Sequence, residues 1–148
     1  MMKKILILGL MLSVFLMPAI LAVDQGINAT IGDDITIVIT PTTVTFGAIM
    51  PGTANNPSTS GNVGFDPSGS NVHVNVEVTT VTGEPFHSGL KFDGILAEGK
   101  DYDIPCALVL DVCTYTLKVV VPTLDVPTGS PAGVKTGIIT YTITGTTP

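Results

Sequence analysis

Proline spacing and β-branched content together limit the folds open to this 148-residue chain. Ten of its eleven prolines lie in residues 23–148, where they leave segments mostly too short for a stable helix. The same stretch contains 16 Val, 11 Ile and 21 Thr, which is 48 of 126 residues. These side chains are stiff at χ1 and favour a pleated, half-buried surface. The sequence therefore predicts an all-β fold.

Alternation of apolar and polar residues locates the predicted strands. The pattern predicts strands over residues 34–40, 43–48, 71–81, 90–93, 114–121 and 137–144. The clearest of them has valines at 72, 74, 76 and 78 separated by polar residues, so one of its faces belongs to the core. In the 114–121 segment the apolar face consists of Leu117, Val119 and Val121, opposite Lys118.

Turn-forming residues separate these strands. A polar loop is predicted over residues 53–61 and continuing to 66–69, and a second loop over 127–131. Short strands at this spacing indicate an antiparallel, immunoglobulin-like sandwich, either a jelly roll or a Greek key. We expect one β-sandwich domain over residues 34–148, preceded by an N-terminal strand arm over 23–33.

Residues 1–22 have the pattern of a secretory signal peptide. Lys3 and Lys4 precede an apolar run that Pro18 interrupts, and the segment ends at Ala22. An uncleaved membrane anchor is the alternative, because the 18 residues from Ile5 to Ala22 approach the length of a bilayer span. Both interpretations export the remaining chain, so we expect a secreted, cell-surface protein whose only contact with a membrane is an uncleaved signal segment.

The charge balance excludes some partners. Residues 23–148 contain four Lys, no Arg and twelve acidic residues, for a formal charge of −8. Nucleic-acid binding needs clustered cationic side chains, and an anionic membrane surface attracts basic segments. Neither partner fits this chain.

The two cysteines, Cys106 and Cys113, predict a disulfide, because disulfides persist in exported proteins. Their separation of seven is odd, so on one straight strand they would point to opposite faces. A bond between them requires a turn or bulge within residues 107–112.

No set of residues in the sequence matches a catalytic site. His73 and His87 are far apart, and the chain has no G-x-S-x-G motif. We therefore expect a protein that is not an enzyme and that needs no cofactor.

The most acidic stretch raises one possibility of a metal. Asp93, Glu98, Asp101 and Asp103 offer the oxygen ligands that calcium prefers. Their spacing does not match an EF-hand loop, and a solvated acidic loop is the alternative explanation.

The arm over residues 23–33 alternates as a strand does. One side carries Val23, Ile27, Ala29 and Ile31, and the other carries Asn28, which begins the sequon Asn-Ala-Thr and is a candidate for glycosylation. The arm is either the first strand of its own sheet or a strand donated to a neighbouring subunit. Head-to-tail donation does not close on itself and so builds a filament.

Two segments of the sequence resemble known exported proteins. Residues 39–52 and 131–144, with the valine strand between them, resemble the opening and closing strands of spore-coat-U and fimbrial sandwiches. The order of signal, arm and sandwich is similar to that of TasA-like biofilm fibre subunits and archaeal bundling pili. This resemblance implies polymerisation by donor-strand exchange and assigns no individual functional residue. The chain departs from the fimbrial type because no Cys lies near its first strands.

These observations lead to two functional hypotheses. The first is a structural subunit of an extracellular filament or surface layer whose partner is a second copy of itself. The alternative is a secreted immunoglobulin-like adhesion module that recognises a glycan or another surface protein through its loops.

Overall fold

The computed structural model describes residues 33–148, which form an all-β structure with one short helix. The signal segment, the arm residues Val23, Ile27, Ala29 and Ile31, and the sequon at Asn28 lie outside the described residues. The strands are β1 (Val38–Thr40), β2 (Asn56–Pro57), β3 (Val63–Asp66), β4 (His73–Thr82), β5 (Leu90–Phe92), β6 (Ile95–Leu96), β7 (Asp101–Ile104), β8 (Ala107–Val109), β9 (Val112–Thr114), β10 (Lys118–Val120), β11 (Pro122–Leu124) and β12 (Ile138–Thr146). The helix α1 (Phe86–Gly89) connects β4 to β5.

The strands form four antiparallel groups. Three are sheets, with strand orders β1–β3–β10, β2–β11–β5–β6 and β12–β4–β7, and the fourth is the hairpin β8–β9. Buried side chains from all three sheets belong to one hydrophobic cluster, so the sheets share a core.

Strand β4 supplies the largest contribution to that core. Its valines at 74, 76 and 78 are completely buried, as the alternation predicts, and Val81 is buried as well. Val78 and Val81 are three residues apart, which would place them on opposite faces of a regular strand. The pairing between β4 and β12 shifts between Thr140 and Tyr141, and this bulge passes over Thr79 and returns Val81 to the buried face.

The prediction of a polar loop over residues 53–69 is wrong in part. This stretch contains β2 and β3, and Val63 and Phe65 of β3 are fully buried. Three alternating residues beside many small polar ones are too short a pattern to identify a strand from the sequence. The reverse error occurs over 43–48, where the sequence predicts a strand and the structure has none.

The predicted faces of the 114–121 segment are inverted. Val120 is fully buried, and Lys118 lies on the same inward side with its Nζ 5.6 Å from the centre of the Tyr102 ring. Leu117, Val119 and Val121 face outward and are about half exposed. The lysine is accommodated because its aliphatic stem packs on the core while its ammonium group lies over an aromatic face.

The predicted disulfide and its turn are both confirmed. Cys106 and Cys113 are bonded, with their Cα atoms 5.1 Å apart. The reversal comes from the hairpin β8–β9, whose turn residues Leu110 and Asp111 have φ angles of 52° and 62°. Positive φ at both turn residues is typical of a two-residue hairpin turn.

Phe65 connects two of the sheets. Its ring centre lies 5.4 Å from that of Tyr102 on β7 and 5.6 Å from that of Tyr141 on β12. Phe65 itself belongs to β3, so this aromatic group links the first sheet to both edge strands of the third.

We expect Phe65→Ala to lower the free energy of unfolding by about 3–5 kcal/mol, because it leaves a cavity between Tyr102 and Tyr141. Chemical denaturation followed by circular dichroism measures the change. The control Val38→Ala removes an exposed side chain from the neighbouring strand and should change stability by less than about 1 kcal/mol. An equal decrease in the free energy of unfolding in the two variants would contradict the role of Phe65 in the core.

Candidate functional site

Asp93, the first calcium candidate, closes a turn. It lies between β5 and β6 with a φ of 53°. Its Oδ1 accepts a hydrogen bond from the Val121 N–H at 2.9 Å, and its own N–H donates to the Val121 carbonyl at 3.0 Å. The carboxylate therefore has a structural partner in the main chain.

Glu98 and His87 form a second local contact. Glu98 Oε2 accepts from the Val81 N–H at 3.0 Å and lies 3.1 Å from His87 Nδ1. The same Nδ1 lies 2.9 Å from the Val81 carbonyl oxygen. The Val81 carbonyl and, after it, the Glu98 carboxylate hold the pKa of His87 above its ordinary value of 6.5. This pairing of a histidine with one of the acidic residues was missed in the sequence, because residues 87 and 98 belong to different turns.

Asp101 and Asp103 lie on the exposed face of β7, opposite Glu77 and Asn75 of β4. Within residues 33–148, no three His, Cys, Asp or Glu side chains come together as a group that could hold a metal ion. The four candidate carboxylates are thus distributed over a turn, a histidine pair and an outer sheet face.

The two edges of the sheet β12–β4–β7 differ in charge. Edge strand β7 has four residues, and two of them are aspartates. Edge strand β12 has nine residues with no charged side chain and no proline, and among the described residues it pairs only with β4. Proteins normally protect edge strands by short length, charge or proline, because an edge exposes unpaired N–H and C=O groups. β7 has this protection, whereas β12 has none of these three features.

The inward side chains of β12 are incompletely covered. Ile139, Tyr141 and Ile143 pack against the core cluster but stay half-buried, although their neighbours on β4 are fully buried. Ile138, the first residue of the same strand, is exposed. Half-buried apolar residues of the segment 37–46 pack against the same core cluster. We call the whole set the edge seam: Ile37, Ile39, Val44, Phe46, Ile139, Tyr141 and Ile143.

Ile35 and, through Phe86, Phe46 lie near the two ends of β12 without pairing to it. A Cβ atom on Gly145 would lie 2.8 Å from Ile35 Cδ1, which places Ile35 beside the C-terminal part of β12. A Cβ atom on Gly137 would lie 2.8 Å from the ring of Phe86, and the Phe46 ring centre is 6.3 Å from that ring. Because β1 pairs with β3, no described strand forms a backbone ladder with this side of β12.

The edge seam is apolar and electrically neutral. It contains no ionisable side chain except Tyr141, whose pKa is raised by burial to about 12. The phenol is therefore uncharged near neutral pH. A segment with apolar side chains at every second position matches such a surface, since its backbone would pair with β12 while its side chains covered the seam.

Comparison with protein-family models, with curated proteins and with solved structures found no match to this chain. In residues 33–148, no helix has the length and apolar character needed to cross a membrane.

We expect His87→Asn to lower the melting temperature at about pH 5.5 and to have little effect at about pH 8.5. A pKa that is raised on folding stabilises the folded state below the unfolded value, and this contribution disappears as the pH rises through the folded value. Thermal unfolding at a series of pH values tests this expectation. An equal decrease in melting temperature at both pH values would show that His87 contributes through packing rather than through its charge.

Proposed function

We propose that this chain is a non-enzymatic structural subunit of an extracellular filament or surface layer. In this proposal the described residues are an immunoglobulin-like sandwich with one incomplete edge. Residues 23–33 of one subunit lie along β12 of the next and cover its edge seam. The arm offers Val23, Ile27, Ala29 and Ile31 on one side, which suits a surface that receives alternate apolar side chains.

The observation that carries the proposal is the open, uncharged edge beside half-buried apolar side chains. A donated strand would supply two kinds of contact. Its main chain would form hydrogen bonds with the unpaired N–H and C=O groups of β12, and its side chains would bury the edge seam. The lengths agree, since the arm has eleven residues and β12 has nine. The disulfide between Cys106 and Cys113 is compatible with an oxidising, extracellular location.

The start of the described chain lies at the C-terminal end of β12. Asp34 is fixed to Asn71 by two hydrogen bonds, of 2.7 and 3.1 Å, and Ile35 lies beside Gly145.

Ile27→Asp should abolish fibre formation by the mature chain from Val23 to Pro148. A carboxylate placed in an apolar groove loses its hydration without gaining a partner, at a cost of several kcal/mol, and about 1.4 kcal/mol corresponds to a tenfold loss of affinity. Negative-stain microscopy and analytical ultracentrifugation measure the outcome. The control Asn28→Asp adds the same charge on the opposite side of the arm and should assemble normally.

Mature wild-type protein that stays monomeric at high concentration would refute the filament proposal. It would favour the adhesion module, which binding to a glycan panel would then test.

On the receiving strand, Ile143→Lys should prevent assembly while Thr142→Lys does not. Ile143 faces the edge seam, and its neighbour Thr142 faces outward, so the same charge is added to the two sides of one strand. Circular dichroism and melting temperature establish that both variants fold. If both assemble, or if neither does, the contact does not involve the inner face of β12.

A further inference from the structure

The hairpin β8–β9 is a separate two-stranded unit. Among residues 33–148, its strands pair with each other and with no strand of the three larger sheets. Besides this backbone ladder, the disulfide between Cys106 and Cys113 joins its two ends, and Thr114 Oγ1 donates a hydrogen bond of 2.8 Å to the Ala107 carbonyl. The hairpin is therefore closed on itself, and its position relative to the larger sheets depends on contacts at its base.

Hydrogen bonds at both ends connect the hairpin to the beginning of β4. The Cys106 N–H, one residue before β8, donates to Nδ1 of His73 at 3.0 Å. The Tyr115 hydroxyl, one residue after β9, donates to the Val72 carbonyl at 2.7 Å. Burial raises the pKa of Tyr115, so its phenol stays protonated and this second bond persists at neutral and acid pH.

The bond to His73 requires a neutral imidazole. A backbone N–H can only donate, so the ring nitrogen that accepts from it has a free lone pair and carries no proton. The proton of neutral His73 is consequently on Nε2. When the ring takes up a second proton, both of its nitrogens become donors, and the new Nδ1–H points at the Cys106 N–H.

The burial of Cys106 makes the loss of this bond unfavourable. Cys106 is only 6% exposed, and a buried N–H without an acceptor has lost its hydration with nothing in exchange. With two donors facing each other, the base of the hairpin shifts or the imidazole rotates until water reaches the Cys106 N–H. Either movement removes a contact between the hairpin and β4, while the disulfide and the ladder keep the hairpin itself intact.

His87, the other histidine of the chain, has the opposite arrangement. Its Nδ1 lies 2.9 Å from the Val81 carbonyl oxygen and 3.1 Å from Glu98 Oε2, so that nitrogen faces two acceptors and a proton on it is favoured. Acid therefore strengthens the contacts of His87 and breaks the contact of His73. This difference makes His87 a matched control for any effect assigned to His73.

The charged groups on the elements around His73 are carboxylates. Asp103 of β7 pairs with Asn75 of β4, so it lies diagonally across from His73 on the same outer face. On β12 the residue opposite His73 is Thr146, which does not titrate. The other two carboxylates are Asp34, in the segment bonded to Asn71, and Asp111, at the hairpin turn. None of β4, β7, β12 and the hairpin contains a lysine, so these elements place no cation against the uptake of a proton.

We propose that His73 is a proton-sensitive latch for the hairpin β8–β9. Neutral His73 holds Cys106 against the beginning of β4, and protonated His73 releases it. Histidine is the side chain whose ordinary change of charge falls between about pH 5 and pH 8, so the contact is complete at the upper end of this range and is lost as the pH falls through it. The hairpin then changes its position relative to β4 while the bond between Cys106 and Cys113 stays closed.

The latch does not depend on the proposed filament, and solution NMR of the mature chain in the Ile27→Asp background tests it on a monomer. At about pH 8, the ring nitrogen signals should show a proton on Nε2 of His73 and none on Nδ1. On acidification, the Cys106 amide signal should move with the same midpoint as the His73 ring. Protection of this amide from solvent exchange, corrected for the intrinsic effect of pH, should fall by about fivefold or more.

Two substitutions at residue 73 separate the latch from other effects of acid. The amide oxygen introduced by His73→Asn can accept from the Cys106 N–H at any pH, so the Cys106 signal should no longer follow pH. His73→Phe keeps a ring but has no acceptor, so the Cys106 amide should exchange readily at both ends of the pH range. The control His87→Asn should leave the Cys106 titration unchanged.

Three results would overturn the proposal. They are a proton on Nδ1 of His73 at about pH 8, a Cys106 amide signal that does not follow the His73 titration, and a Cys106 titration in His73→Asn that equals that of the parent. The first two need only the parent chain, so they decide the matter even where a variant fails to fold.

Discussion

The structure depends on the burial of one face of β4. Its valines at 74, 76 and 78 are completely buried, and side chains from every larger sheet pack into the same cluster. Fully burying a valine stabilises a fold by roughly 1.5–3 kcal/mol, so this strand provides a large share of the hydrophobic stabilisation. Phe65 then connects the cluster to both neighbours of β4, through Tyr102 on one side and Tyr141 on the other.

Sequence patterns identified the elements whose burial is a local property. The positions of β4 and β12 follow from the alternation of apolar and polar residues, and the turn between the cysteines follows from their odd separation. Both patterns are visible within a short stretch of sequence. β3 was missed because its buried residues, Val63 and Phe65, stand among glycines and small polar residues. The faces of β10 were inverted because Lys118 packs on Tyr102, a residue sixteen positions earlier, and alternation alone carries no information about such a partner.

The candidate site shows the same limit of sequence reasoning. The alternating arm and the strand over 137–144 are visible as separate patterns, but nothing in the sequence indicates that β12 is an edge strand. That property follows from pairing order, which places β4 on one side of β12 and no described strand on the other. The half-burial of Ile139 and Ile143 is likewise a consequence of what the neighbouring strands leave uncovered.

The distribution of charge gives the proposed assembly a direction. Residues 23–148 carry a formal charge of −8, which disfavours contacts between copies wherever acidic residues face each other. Asp101 and Asp103 occupy the β7 edge, opposite Glu77, and make it a poor template for pairing. The β12 edge of the same sheet has no charge. In the proposed assembly, a subunit with one protected and one unprotected edge would accept a strand at only one side of this sheet, and repeated addition at that side would give a polar filament.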